Sequence, residues 1–190
     1  ALSATLAAFG KIDGVLHAAG IMKTGLVETL DGASQAQVIA VNLGGSAIVA
    51  QALIPHLKAT RGSLVLFGSV AAFHGTPEFA AYAASKAGVL SFGQALRIEL
   101  EDAGVHVGVF CPHFVKTPMI GGENKDASFI NQKSIFVTQH EPDAMAKAIV
   151  HGIAARRFLI VPSWRERLIY AVSRYAEFTG HRLMKQNWQS

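Results

Sequence analysis

The 190 residues hold a single cysteine, Cys111, so no internal disulfide framework is available, and the usage fits a reducing, cytoplasmic compartment. Cys111 closes an apolar run and reads as a small buried hydrophobe. The eight histidines are scattered, with no HExxH and no Cys/His pairing, which argues against a metal site. Charged residues make up only 16% of the chain against 51% hydrophobic, a balance that excludes a disordered polyelectrolyte. No uninterrupted apolar run reaches the ~18 residues of a membrane span, and the first ten residues lack the basic start and cleavage pattern of a signal peptide. A glycine-rich phosphate turn is missing, and nothing in the chain reads nucleic acid.

What is present suits one domain, residues 1–190, with a catalytic part over 1–162 and an amphipathic helix over 163–190. The formal charge of +4 is uneven: from Arg156 onward seven basic residues face two acidic ones, and the rest is close to neutral. Short apolar strands are expected at 13–19, 63–67 (SLVLF), 105–111 and 158–161. Between them lie helical patterns at 33–58, capped by Asp31, at 78–102, at 141–157 with Pro142 in its first turn, and at 164–185. Strands alternating with helices of this length predict a three-layer α/β fold, a Rossmann-like doubly wound parallel sheet.

The strongest chemical signal is Tyr82-Ala83-Ala84-Ser85-Lys86 inside a predicted helix. An i, i+4 pair shares one helical face, and a cation beside a phenol favours the phenolate needed for proton transfer at neutral pH. An ordinary helix with a surface lysine would give the same spacing. Ser69 lies thirteen positions earlier, at the carboxyl end of SLVLF, where open α/β sheets bind ligands. It reads as a hydroxyl for a substrate oxygen or as a plain turn residue. Asn42, in the apolar stretch VIAVNLGG, reads most simply as a buried, satisfied amide. A serine-hydrolase elbow is a poor match, because Gly68-Ser69-Val70-Ala71-Ala72 lacks the second glycine.

Together these residues resemble the short-chain dehydrogenase/reductase family. His17-Ala18-Ala19-Gly20 resembles its Asn-Asn-Ala-Gly segment, Asn42, Ser69, Tyr82 and Lys86 match its catalytic tetrad, and Pro112-His113-Phe114-Val115-Lys116-Thr117 resembles its Pro-Gly-x-Val-x-Thr. The resemblance implies an NAD- or NADP-dependent oxidoreductase with Tyr82 as general acid/base and Ser69 orienting the substrate oxygen. Lys86 would lower the Tyr82 pKa and hold the nicotinamide ribose. Asn42 would anchor a proton-relaying water, and Ala19, Gly20, Pro112, Val115 and Thr117 would border the cofactor. Two departures stand out: His17 and Ala18 replace the asparagines, and His113 replaces a glycine beside the nicotinamide.

The same resemblance places three strands and two helices, roughly 60–70 residues by ordinary element lengths, ahead of Ala1. The residue that chooses between NAD and NADP would lie there. The expectation at this point is a truncated, inactive reductase with a bare apolar strand edge, or else a non-catalytic chain acting as a binding or oligomerisation module. The segment 120–136, with Phe129, Ile130, Ile135 and Phe136, would be a lid over an apolar carbonyl or alcohol substrate, or simply pack itself down. Trp164, Leu168, Ile169, Val172, Tyr175 and Phe178 form an apolar stripe, expected to pack on the domain or a subunit partner, with peripheral membrane contact as the second reading. Homo-oligomerisation is implied by the resemblance alone.

Overall fold

A computed structural model of the chain describes residues 2–121 and 139–175. The element order is α1 (Leu2–Phe9), β1 (Gly14–His17), α2 (Gly32–Ile39), α3 (Gly45–Thr60), β2 (Ser63–Phe67), α4 (Ala80–Glu99), β3 (His106–Phe110), β4 (Phe114–Val115), α5 (Pro118–Gly121), β5 (Gln139–His140), α6 (Pro142–Ala154), β6 (Leu159–Ile160) and α7 (Trp164–Tyr175). β1, β2, β3 and β6 form one parallel sheet in that order, while β4 and β5 pair separately. The predicted doubly wound α/β architecture is therefore what these residues adopt.

Side-chain alternation explains the layering. Leu64, Leu66, Val107 and Val109 point into one cluster with Leu57 of α3 and Val89 and Leu96 of α4. Val65 and Phe110 point the other way, to Met145 and Ile149 of α6. Every residue of β3 is buried, as a central parallel strand requires. Truncating a fully buried Leu64 or Leu66 to alanine would cost about 2–5 kcal/mol. β1 forms one edge of the sheet, and its Leu16 is 54% exposed.

One sequence expectation needs correction. The helix expected over 33–58 is broken into α2 and α3 by a π-helical turn, Ala40–Gly44, which contains the buried Asn42. The Asp31 cap is present, its carboxylate accepting from the Ser34 N–H at 2.8 Å. The same stretch, Gly32–Thr60, is long and apolar enough to cross a membrane, although no unbroken apolar run suggested it. Here it packs on α4 and the sheet, and it carries Asn42 and Ser46 as buried, hydrogen-bonded polar groups. The lid residues Phe129, Ile130, Ile135 and Phe136, and Phe178 of the final stripe, lie outside the described residues.

Candidate active site

The carboxyl ends of β1, β2 and β3 open onto a cavity of about 720 Å³. Of the sequence-predicted residues, Ser69, Tyr82, Lys86, Gly20, Pro112, Val115 and Thr117 all line it. Ala19 does not, and its neighbour Ala18 takes that place; Asn42 lies behind the wall.

Ser69 caps a single 3-10 turn, Val70–Ala72, with its hydroxyl accepting from the Ala71 N–H at 3.2 Å. The Val70 N–H donates to the Pro112 carbonyl at 3.0 Å, which locks this turn to the end of β3. Gly68 permits the approach: a Cβ there would sit 2.7 Å from the Cys111 Sγ. Tyr82 and Lys86 follow one turn apart on α4, as the i, i+4 spacing predicts. The Lys86 ammonium donates to the Phe67 carbonyl at 2.7 Å and stands 5.6 Å from the Tyr82 ring centre.

Asn42 is held on every side. Its Oδ1 accepts from the Ile21 N–H at 2.8 Å, and its Nδ2 donates to the Ile21 carbonyl at 3.0 Å and to the Ser85 Oγ at 2.9 Å. The Asn42 carbonyl accepts from the Ser46 hydroxyl at 2.6 Å. The satisfied-amide reading fits this geometry: the side chain ties the loop after β1 to α4, and the π turn is what aims it there. Both side-chain N–H groups are used, and the Oδ1 keeps one acceptor lone pair beyond the bond from Ile21.

The electrostatics differ from expectation at one point. Burial in an almost wholly apolar cavity pushes the Tyr82 phenol up to about 12, and a hydrogen bond with Ser69 offsets this only in part. The Lys86 cation is not among the causes of this shift, and its ammonium is turned to the Phe67 carbonyl. Lys86 itself is pushed down to about 8 by burial. Burial also pushes the Cys111 thiol up to about 12, which fits an inert core cysteine.

The histidine departures both reach this region. His17 is held below its ordinary value by burial and by the Lys86 charge, and its buried Nε2 has no hydrogen-bond partner among the described residues. His113 lines the cavity in place of the expected glycine.

The opposite wall was largely hidden from the sequence. Met145 and Ile149 of α6 and Leu168, Ile169 and Val172 of α7 complete the cavity. The α7 stripe thus packs on the domain in part, whereas Trp164 and Tyr175 stay exposed. Its anchor is Glu166, fully buried, which accepts from Ser163 and lies 2.6 Å from the His140 Nε2. These hydrogen bonds and the His140 charge hold the Glu166 carboxyl below its ordinary value despite burial. The Phe73 and Tyr170 rings meet edge to face at 4.9 Å, and the Ser173 hydroxyl bonds the His74 Nδ1 at 2.9 Å, so α7 leans on the turn that carries Ser69. An i, i+4 apolar pattern in 164–175 signals packing, but nothing local says against what.

Comparison with known proteins gives one answer throughout. The sequence profile for short chain dehydrogenases matches residues 1–128. The chain is 33% identical over 163 residues to an Arabidopsis thaliana protein named 11-beta-hydroxysteroid dehydrogenase-like 4A, covering 84% of this chain and 53% of that one. The chain spans about half the length of the curated relatives it matches. A 3-ketoacyl-(acyl-carrier-protein) reductase from Brucella melitensis, solved with NADH, superposes with a TM-score of 0.72 at 27% identity, over 84% of this chain and 68% of that one. A gluconate 5-dehydrogenase from Burkholderia cenocepacia, solved with NADP and tartrate, shares the fold with a TM-score of 0.74 at 22% identity, over 85% and 67%.

Proposed function

Because the chain belongs to the short chain dehydrogenase family, we propose that it carries the catalytic part of an NAD- or NADP-dependent oxidoreductase interconverting a ketone and a secondary alcohol. The supporting observation is the convergence of Ser69, Tyr82 and Lys86 on one wall of a large apolar cavity. The residues present suit a nicotinamide. Gly20 leaves the backbone bare where a Cβ would stand 3.0 Å from the Asn42 Oδ1 and 3.5 Å from the Lys86 Nζ, and Val115 and Thr117 flank the same space. When bound, the reduced nicotinamide supplies a hydride to the carbonyl carbon.

The chain's own residues handle the oxygen. The Ser69 hydroxyl donates to the substrate oxygen and holds it against Tyr82. At neutral pH the Tyr82 phenol is fully protonated, so it donates its proton as the alkoxide forms. The phenolate regains its proton from solvent by way of the Lys86 ammonium, 5.6 Å from the Tyr82 ring centre, which recovers its own proton from water. Asn42 is a positioning residue, fixing Ile21 and Ser85 and not carrying a proton itself. Walls of Met22, Phe79, Phe114 and Ile149 favour an apolar substrate.

The natural protein from its source and the 190-residue chain are assayed side by side with NADH or NADPH and a panel of apolar ketones. Ketone-dependent loss of reduced nicotinamide that disappears in Tyr82→Phe supports the reading. Turnover that survives this substitution removes Tyr82 from the proton role.

A second reading, a non-catalytic module that pairs with an intact subunit, is favoured by one observation. Ile48 on α3 and Ile98 on α4 are both exposed. Mixing the chain with an intact reductase separates the readings: altered mass and activity of the partner support a module.

A further inference from the structure

Away from Ser69, Tyr82 and Lys86, the polar side chains on the cavity wall are His74, Thr76, His113, Thr117 and Ser173. His74 and Ser173 satisfy each other. His113 is different. Its Nδ1 accepts from the Phe114 N–H at 2.9 Å, which places the ring proton of the neutral imidazole on Nε2. That Nε2 has no hydrogen-bond partner among the described residues. The ring also meets the Phe114 ring edge to face at 4.8 Å.

The surroundings keep this donor neutral. Burial pushes the His113 imidazole down to about 4; His74 and His140 reinforce that, and only the Glu166 carboxylate opposes it. The described residues lining the cavity include no carboxylate, and Lys86, the one cation, already donates to the Phe67 carbonyl. An ionised substrate tail would therefore exchange its hydration for methionine, phenylalanine and isoleucine walls, at heavy cost. A donor whose partner is missing once a ligand expels water carries a penalty as well, and a second oxygen on that ligand removes it.

We propose that the Nε2–H of His113 donates to a second, uncharged acceptor oxygen on the substrate, so that the cavity selects neutral apolar ketones bearing such an oxygen over plain hydrocarbon ketones. This deepens the oxidoreductase reading and rests on it for the word substrate, but its test is a binding test that needs no turnover.

The probes are a long-chain methyl ketone and a set of equal length in which an ether oxygen replaces successive methylenes. Affinities for the full 190-residue chain are measured without nicotinamide, for wild type, His113→Phe and His113→Gln. The expected result is a cycle coupling. For the best-placed ether, His113→Phe weakens binding about tenfold more than it does for the parent ketone, while His113→Gln, which keeps a donor, retains most of the preference. Equal loss across the set overturns the proposal, as does a failure of every ketone to bind. Should His113→Phe not fold, side-chain nitrogen NMR of the wild type decides. The Nε2–H tautomer, with its proton resonance shifted by one ether ketone and not by the parent, supports the proposal; no shift from any member overturns it. Binding with this preference but without turnover in any preparation would leave the His113 contact standing and sink the oxidoreductase reading instead.

Discussion

The two walls of the cavity are built by different means. The wall carrying Ser69, Tyr82 and Lys86 is fixed through the backbone: Lys86 to the Phe67 carbonyl, Val70 to Pro112, Asn42 to Ile21. The facing wall of α6 and α7 is fixed through side chains, by the Glu166–His140 pair, the Phe73–Tyr170 contact and the His74–Ser173 bond. Backbone anchoring sets positions to a fraction of an ångström and leaves little room for substitution. Side-chain anchoring can be repacked residue by residue. The reacting wall therefore sets the chemistry, and the facing wall sets what may enter. Each substitution below falls on one wall, and the contrast fails if its effect has the other wall's character.

The largest effect belongs to the reacting wall. Tyr82→Phe removes one oxygen and should lower kcat by about 10³-fold or more, within the range of a positioned acid or base, with KM and melting temperature nearly unchanged. Steady-state kinetics of the natural protein check this. A fall in KM-dependent terms alone would make Tyr82 a binding residue, like those opposite.

The same contrast marks what was legible in the sequence. Ser69, Tyr82 and Lys86 were legible through their resemblance to a family pattern, whereas spacing alone left a turn residue and a surface lysine as alternatives. Asn42 was visible as an oddity, but its π turn was not: no residue pattern distinguishes five π-helical residues from α-helix, and only the pull of Ile21 and Ser85 selects them. Glu166 was unreadable as an anchor. It sits among Arg165 and Arg167 in a stretch that looks like a solvated face, and its partner His140 is 26 positions away. The raised Tyr82 pKa escaped for a related reason, since the sequence shows the neighbouring cation but not the dry walls of α6 and α7.

Next in size is the anchor of the facing wall. Glu166→Ala leaves His140 and Ser163 without their shared acceptor and should cost about 2–3 kcal/mol, a fall in melting temperature of roughly 5–10 °C for a chain of this length. Differential scanning fluorimetry measures it. An unchanged melting temperature would mean that α7 docks without its buried carboxylate, and that apolar contact alone holds this wall.

A smaller effect separates the buried charge from its surroundings. Lys86 titrates near 8 in the folded chain and at an ordinary 10.5 when unfolded. The unfolded chain therefore binds more protons in this window, and the Lys86 contribution to stability rises with pH from about 8 to about 10.5. Cys111 and Tyr82, both pushed up to about 12, act in the opposite sense above about 9 and 10. Lys86→Met isolates the first term. Urea midpoints should improve less in the variant than in wild type between pH 8 and pH 9, and equal improvement would place the lysine in water.

The smallest effect tests the division of labour most finely. Leu168 lines the cavity yet is 50% exposed, whereas Met145 lines it and is 5% exposed. Truncating Met145 to alanine opens a void inside the sheet–α6 core and should cost about 2–3 kcal/mol of stability as well as affinity. Leu168→Ala removes surface that solvent already reaches, so its stability should change by under about 0.5 kcal/mol. If a long apolar ligand covers that side chain, the lost burial should weaken binding roughly three- to fivefold, read as a rise in KM at constant kcat. A wall held by replaceable side chains can be tuned for binding without disturbing the fold, and Leu168 is where the two should come apart. Should Leu168→Ala lower the melting temperature as far as Met145→Ala does, α7 is a structural helix first, and the selectivity of the cavity must reside in α6 and His113 instead.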